Sequence, residues 1–396
     1  MFQNFIAAQR PSPFIKPSIT CLTFTAIASG AAAIAVGLFS SIAPVAILGV
    51  AGLTFSSNAE AVACGTYSKH LCNGTAYQYA GGFNPAVGEY GGFGGAASCV
   101  ATRTPVVFVH GNGDNATSWD SPPFQVPGYT IPPLSVYQQF KAAGYKDCEL
   151  FGVTYLSSTE RASVGTNYHQ PSKYQIIENF IRKVKTYTGK TQVDVVGHSM
   201  GVSMSMASMT YYGSWGNVRR FVNVAGGLHG LDSCLWVGYA NPYASTCGSE
   251  NWFNSYIFGF YPSASLNPWT GTTATKAMSR AAISNPAVSF YTIHAGTHDE
   301  AMCATVSNYA TCSQSPLFQA ATNVKAQINV GAGSNTQKLT WDWSTGSPWN
   351  VLGGDTDGVG HIHSRANTGS IMVKMLSTTC TTGCAVDYKN VYGPTQ

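Results

Sequence analysis

Residues 192–212, QVDVVGHSMGVSMSMASMTYY, decide the fold. Gln192 to Val196 is a short apolar run of strand length, and Met200 to Tyr212 continues with the composition of a helix. Between them stands Gly197-His198-Ser199-Met200-Gly201. A lone Gly-x-Ser-x-Gly says little. A strand before it and a helix after it are the setting that a nucleophile elbow requires: the glycines permit a tight, strained turn that lifts the serine oxygen to the top of a sheet, and the free N–H groups at the helix start face developing negative charge. The plainer alternative is a serine in an ordinary strand-to-helix turn.

Outward from this stretch the same alternation continues. Pro105 to Val109 reads as a strand; Val136, Tyr137, Phe140 and Ala143 have helical spacing, with Gly144 as a stop. Leu150 to Tyr155 is the next strand, and Ile176, Ile177, Phe180, Ile181, Val184 and Tyr187 mark an amphipathic helix ending at Gly189. Arg219 to Val224 and Val288 to Ile293 are further strands, Val324 to Val330 a weaker one, and Ile371 to Leu376 a closing helix. Strands and helices alternating at these lengths imply an α/β fold, a mostly parallel sheet with helices on both faces. The span from about 228 to 287 has no clear period but carries ten aromatic residues, and is read as a cap inserted over the carboxyl ends of the strands. The Gly-rich piece from Cys64 to Thr104 is read as a loop wrapped on the main body.

Composition narrows the function classes. Of 396 residues 44% are hydrophobic, so a full-sized core is available, while only 10% are charged, against about 25% in an average soluble protein. The formal net charge is +4 and the basic residues are spread thinly, which gives no grip on nucleic acid. No charge lies between Lys16 and Glu60, and Ala61-Val62-Ala63 precedes Cys64. Residues 1–63 therefore read as an export leader, with a retained membrane anchor or a lipid-modified Cys64 as alternatives. The mature chain, 64–396, is expected to be one secreted catalytic domain, a monomer without stable membrane association. Of eleven cysteines Cys21 falls in the leader, and the even ten that remain suggest five disulfides joining neighbours in order. Cys380 and Cys384 have no second pair nearby, so no metal and no cofactor is expected.

A serine hydroxyl needs a base and an orienting carboxylate, which in this fold follow in the order Ser, acid, His. Asp299, just past a predicted strand, is the preferred acid; Asp355, Asp357 and Asp232 are rivals. His361, in Gly358-Val359-Gly360-His361 before the last helix, is the preferred base. His363 is its competitor, expected to point away if the chain there is extended, either on the surface or supporting the site from behind, and His294 and His298 break the order. An ester oxyanion needs two donors, for which the N–H groups of Met200 and of Asn112 or one of its neighbours in His110-Gly111-Asn112-Gly113 are placed, the plainer alternative being that these glycines only make a turn.

The runs PVVFVHGNGDN, FGVTYLSS, VDVVGHSMGVSMS, GYAN, TCGS, VKAQINVGAGSN and GVGH followed by NTG resemble the extracellular poly(3-hydroxybutyrate) depolymerases that act on amorphous polymer, which are lipase-like α/β-hydrolases. The likeness spans nearly all of 64–396. It implies Ser199 as nucleophile, Asp299 as acid, His361 as base, Asn112 and Met200 at the oxyanion hole, a polyester substrate, and Tyr168 at the mouth of the site in contact with polymer. Thr297-His298-Asp299-Glu300 departs from the family pattern, which keeps Glu300 as an alternate acid, and Gly197 replaces an alanine. A secreted lipase or general carboxylesterase would use the same three side chains.

Overall fold

The computed structural model describes residues 78–85, 90–234, 241–251, 253–261, 286–303, 312–333, 339–342, 347–351 and 358–389, all within one compact unit, Ser56–Gln396. The leader, Cys64, Cys72, Asp355 and Asp357 lie outside them, as do residues 262–285 of the segment read as a cap.

Eight strands form one sheet: β1 (Gln78–Tyr79), β2 (Gly92–Gly94), β3 (Val106–Val109), β4 (Leu150–Val153), β5 (Val193–His198), β6 (Val218–Val224), β7 (Ser289–His294) and β8 (Val324–Asn329). Their order is β1-β2-β4-β3-β5-β6-β7-β8, and every neighbouring pair is parallel except β2 with β4. Helix α1 (Val136–Ala142) connects β3 to β4, the short α2 (Ser158–Ala162) and long α3 (Pro171–Thr188) connect β4 to β5, and α4 (Met200–Tyr211) follows β5. Beyond β8 come a hairpin of β9 (Leu339–Asp342) and β10 (Ser347–Val351), then α6 (His361–Ala366), α7 (Gly369–Ser377) and α8 (Val386–Lys389); a single turn, α5 (Ser245–Gly248), lies between β6 and β7.

Strand alternation divides the core into two layers. Val107 and Val109 face Tyr174, Ile177, Phe180 and Val184 of α3 and Met204 of α4, whereas Val106 and Phe108 face Tyr137 and Phe140 of α1 and Ile371, Met372 and Met375 of α7. Each fully buried side chain of this size stabilises the fold by about 1.5–3 kcal/mol. Local signals set the helix ends. Ser135 and Gln138 form a capping box before α1, Pro171 opens α3, and Gly189 closes it at φ 68°.

The Gly-rich stretch before Thr104 is not merely a loop, as its composition suggests, because β1 and β2 extend the sheet. Its glycines serve the pairing: a Cβ on Gly92 would fall 1.9 Å from the Gly152 carbonyl oxygen, and one on Gly94 would strike the Phe151 ring. Four disulfides link described residues, Cys99–Cys148, Cys234–Cys247, Cys303–Cys312 and Cys380–Cys384, each between neighbours in sequence. Among the described residues no helix is long and apolar enough to cross a membrane.

The sheet also locates the site. From β3 the chain steps outward to β4, then crosses back to lay β5 on the other side of β3. The loops leaving β3 and β5 therefore diverge at a switch point, where such sheets leave a crevice at the carboxyl ends of their strands. His110–Asn115 and Ser199 are in those two loops.

Candidate active site

Ser199 stands between β5 and α4 with φ 53° and ψ −126°, a left-handed backbone that serine adopts only under constraint, at a cost of about 1–3 kcal/mol. The constraint comes from two close approaches. A Cβ on Gly197 would lie 2.9 Å from Val202 Cα, and one on Gly201 only 2.3 Å from the His110 carbonyl oxygen. With no side chain at either place, α4 presses against the end of β3 and the turn from β5 into α4 is forced tight. Ser199 N–H donates to the Val224 carbonyl (2.9 Å), which fixes the turn to β6, and the residue remains half-buried rather than sealed.

The chain returns to this point twice. β7 ends at His294, and a short turn carries Asp299 beyond it, fully buried. After β8, the antiparallel bridge between Ala332 and Val359 brings Gly358–Gly360 back to the sheet, and His361 begins α6. His361 Nε2 lies 2.9 Å from Ser199 Oγ, and its Nδ1 lies 3.0 and 3.1 Å from the two carboxyl oxygens of Asp299. The carboxylate holds the proton on Nδ1, leaving Nε2 as the acceptor for the serine O–H. Asp299 Oδ1 also accepts the N–H groups of Ala301 and Met302 (3.0 and 2.9 Å), which lock the carboxylate in place.

Glu300, adjacent to Asp299, takes a different position from that of an alternate acid. Its Oε2 accepts the backbone N–H of His361 (2.8 Å). The His361 carbonyl accepts from His198 Nε2 (3.1 Å) and Ser364 Oγ (2.7 Å). Because a carbonyl only accepts, the His198 proton is on Nε2, and its buried Nδ1 has no hydrogen-bond partner among the described residues. Burial holds the His198 pKa well below the usual histidine range. The imidazole of His361 is thus aimed by contacts at both ends of its own peptide unit.

The loop after β3 closes on the same serine. A Cβ on Gly111 would lie 2.9 Å from His198 Nδ1 and 3.0 Å from Ser199 Cβ, so only glycine lets the loop come this near. His110 is buried and stacked on Tyr155, with centroids 4.5 Å apart. Tyr155 N–H donates to its Nε2 (3.3 Å), so Nδ1–H donates to the Gly111 carbonyl (2.7 Å). Burial pushes the His110 pKa down to about 4, and the ring is neutral at pH 7. Asn112 is tied by its side chain, Nδ2 to the Val164 carbonyl (2.9 Å) and Oδ1 from Asn167 Nδ2 (2.7 Å), which leaves its backbone N–H out of that network. Met200 is the first residue of α4, where the N–H has no partner within the helix.

The remaining candidates fall elsewhere. His363 is a correction. The chain there is helical, not extended, so the ring is buried, 4.1 Å from Phe124 centroid to centroid, and bonded to the Gly358 carbonyl (2.6 Å). His294 is buried, accepts the Gly296 N–H, and has its pKa pushed down to about 4 by burial. His298 is half-buried in the turn before Asp299. Asp232 is buried with its N–H on the Met302 carbonyl. Tyr168 is half-buried beside Asn167, with Lys173 Nζ 5.4 Å from its ring centroid. Its neighbour His169 pairs with Phe258 of the β6–β7 segment. Of that segment's aromatics, Phe258 and Phe260 are buried while Tyr243 and Phe253 are 91% and 102% exposed. Sequence reasoning missed the positioning contacts of His110, His198 and Glu300. The adjacency of Glu300 to Asp299 was the only available signal. Among the described residues no group of three or more His, Cys, Asp or Glu side chains is arranged to hold a metal ion.

No curated protein sequence matches the chain. Among solved structures, a mature lipase from Bacillus licheniformis aligns with 16% identity over 50% of this chain and 69% of its own, at a TM-score of 0.29. One of two fungal esterases from Rhizomucor miehei aligns with 12% identity over 50% and 58%, at 0.30. The Cif epoxide hydrolase from Acinetobacter nosocomialis aligns with 17% identity over 32% of each chain, at 0.21. The Lipase (class 2) family profile matches residues 103–210, which run from the start of β3 through α4 and hold both Asn112 and Ser199. The strand order, with its reversal between β3 and β5, gives the chain an α/β-hydrolase fold, and residues 103–210 of that fold are similar to the Lipase (class 2) family.

Proposed function

We propose that the protein is a secreted serine esterase that hydrolyses the backbone esters of poly(3-hydroxybutyrate). The observation that carries the chemistry is the unbroken line from Asp299 through His361 to Ser199, with 2.9 Å between imidazole and hydroxyl. His361 Nε2 takes the Ser199 proton as Oγ attacks the ester carbonyl. The N–H groups of Asn112 and Met200 hold the oxyanion, and Nε2–H then protonates the departing alcohol. Water activated by the same nitrogen attacks the acyl-enzyme and releases the acid. These steps use no metal and no cofactor, and they need one copy of the chain.

An uncharged aliphatic polyester offers nothing for ionic recognition. The exposed Tyr243 and Phe253, on a chain with only 10% charged residues, suit such a surface, and Tyr168 is carried over from the depolymerase resemblance as a polymer contact at the mouth of the site. Four disulfides and the uncharged stretch ahead of Cys64 support export. A second reading, a secreted lipase or general carboxylesterase, is favoured by the Lipase (class 2) match. Clearing of amorphous polymer and of emulsified triglyceride, each by wild type and by Ser199→Ala, separates them. The expected result is polymer hydrolysis with little triglyceride cleavage, and a fall of roughly 10⁴- to 10⁶-fold in kcat for the variant. Preferential triglyceride cleavage would select the second reading, and equal clearing by both proteins would end the serine mechanism.

A further inference from the structure

Arg365 lies four residues beyond His361 in α6, one helical turn on, and is buried at 5% exposure. Its Nη1 lies 2.6 Å from Oδ2 of Asp114, which comes from a segment 251 residues away. Asp114 is two residues past Asn112, in the same turn: its N–H approaches the Gly111 carbonyl at 3.4 Å, and its other carboxyl oxygen accepts Asn115 N–H at 2.8 Å. One ion pair therefore joins the helix that begins with the imidazole to the loop that presents the Asn112 N–H.

That joint matters because attack requires two events on opposite sides of one carbonyl carbon. The imidazole must face the serine proton while the loop N–H faces the growing oxyanion, and small misplacements of either are expensive. The turn 110–115 has a His110 anchor and an Asn112 side-chain anchor on the β4–α3 side, and within it the Asp114 carboxylate makes the described hydrogen bond to α6; farther along the same connection Phe124 exchanges hydrogen bonds with Asn367 at the end of that helix. Arg365 is shielded from solvent while the Asp114 side chain keeps 30% exposure, so the pair is weak evidence for stability in itself, since desolvation of the guanidinium offsets its attraction, and fixing a geometry is its better-attested use.

We infer that Arg365 and Asp114 are positioning residues that keep the His361 helix in register with the Asn112 loop. The inference rests on the serine-esterase reading above. The test uses the full disulfide-bonded protein with p-nitrophenyl butyrate, comparing wild type with R365M, R365K, D114N, D114E, the double variant R365M/D114N and S199A. D114N leaves the Arg365 charge buried and unpaired, so stability falls with rate, whereas R365M leaves the partly exposed Asp114; the double variant removes both charges and isolates geometry. The double variant is expected to keep its thermal midpoint within a few degrees and its KM within about 2-fold, and to lose roughly 10- to 100-fold in kcat with an unshifted pH profile. R365K should recover most of the rate, because a single Nη1 contact is within reach of an ammonium. Should the double variant not fold, D114E decides, since it keeps the charge and displaces the loop: a slower kcat supports the inference and a wild-type kcat overturns it. A double variant with wild-type kcat overturns it too, as does R365K no faster than R365M. If S199A alone is inactive in that case, the esterase reading survives and only the positioning role is lost; if S199A is as active as wild type, both fall.

Discussion

A histidine that never needs to ionise is the least conspicuous part of this site. His110 fixes the loop after β3 only while neutral, with Nε2 accepting from Tyr155 and Nδ1 donating to Gly111. Its pKa is pushed from 6.5 down to about 4 in the folded protein, so between those values the unfolded chain binds the extra proton and stability rises with pH. On acidification from pH 7 to 4, His110 should therefore remove roughly 3 kcal/mol of stability. His294, also pushed down to about 4, acts in the same direction. Asp120 and Asp194, raised to about 6 by burial, act in the opposite one, because the folded state keeps their protons as pH rises from 4 to 6. His110→Gln retains a donor and an acceptor but cannot titrate. Urea unfolding at pH 7 and pH 4 should show the variant losing less stability than wild type by about that amount, and an unchanged difference would remove His110 from the account.

At the scale of elements the decisive contact is α4 against β3. Gly201→Ala places a methyl 2.3 Å from the His110 carbonyl and 2.6 Å from that of Val109, both backbone atoms that cannot swing aside. The helix must retreat and carry Ser199 with it, so a loss of about 3 kcal/mol, seen as a lower thermal midpoint, should accompany near-complete loss of ester hydrolysis. Gly216→Ala meets nothing within 4 Å and should leave the midpoint within the range of neutral surface changes. Six of the eight sheet strands were legible in the sequence, the central ones as largely apolar runs long enough to cross a buried layer, as in Val106–Val109 and Val193–His198, and β8 more weakly through the apolar-polar alternation of Val324–Asn329. β1 and β2 were not, because the glycines that mark a loop in sequence are here what lets two backbones meet. Ser199, Asp299 and His361 could be singled out because the fold prescribes an order and a strand end for each. The contacts of His198, Glu300 and Arg365 run to backbone atoms or across 251 residues, and such contacts leave no periodicity to read.

Over the whole molecule, covalent cross-links take on part of the task that a surface with few charges leaves undone. In the chain-entropy view a disulfide's contribution grows with the loop it closes. Cys99–Cys148, spanning 49 residues and joining the approaches to β3 and β4, should contribute about 4 kcal/mol, against about 2.6 kcal/mol for Cys303–Cys312, spanning 9. Replacing Cys99 and Cys148 by alanine should lower the denaturant midpoint more than replacing Cys303 and Cys312, and the reverse order would show that local packing of the Asp299 turn outweighs chain entropy. The hydroxyl and the imidazole it faces are 162 residues apart. On the reading given above, a ribosome finishes most of the sheet while Ser199 is still an ordinary alcohol. Only when the last part of the chain has emerged and docked does the nascent product acquire the power to cut esters, so truncation from the C-terminal side should silence the protein long before it prevents the sheet from forming.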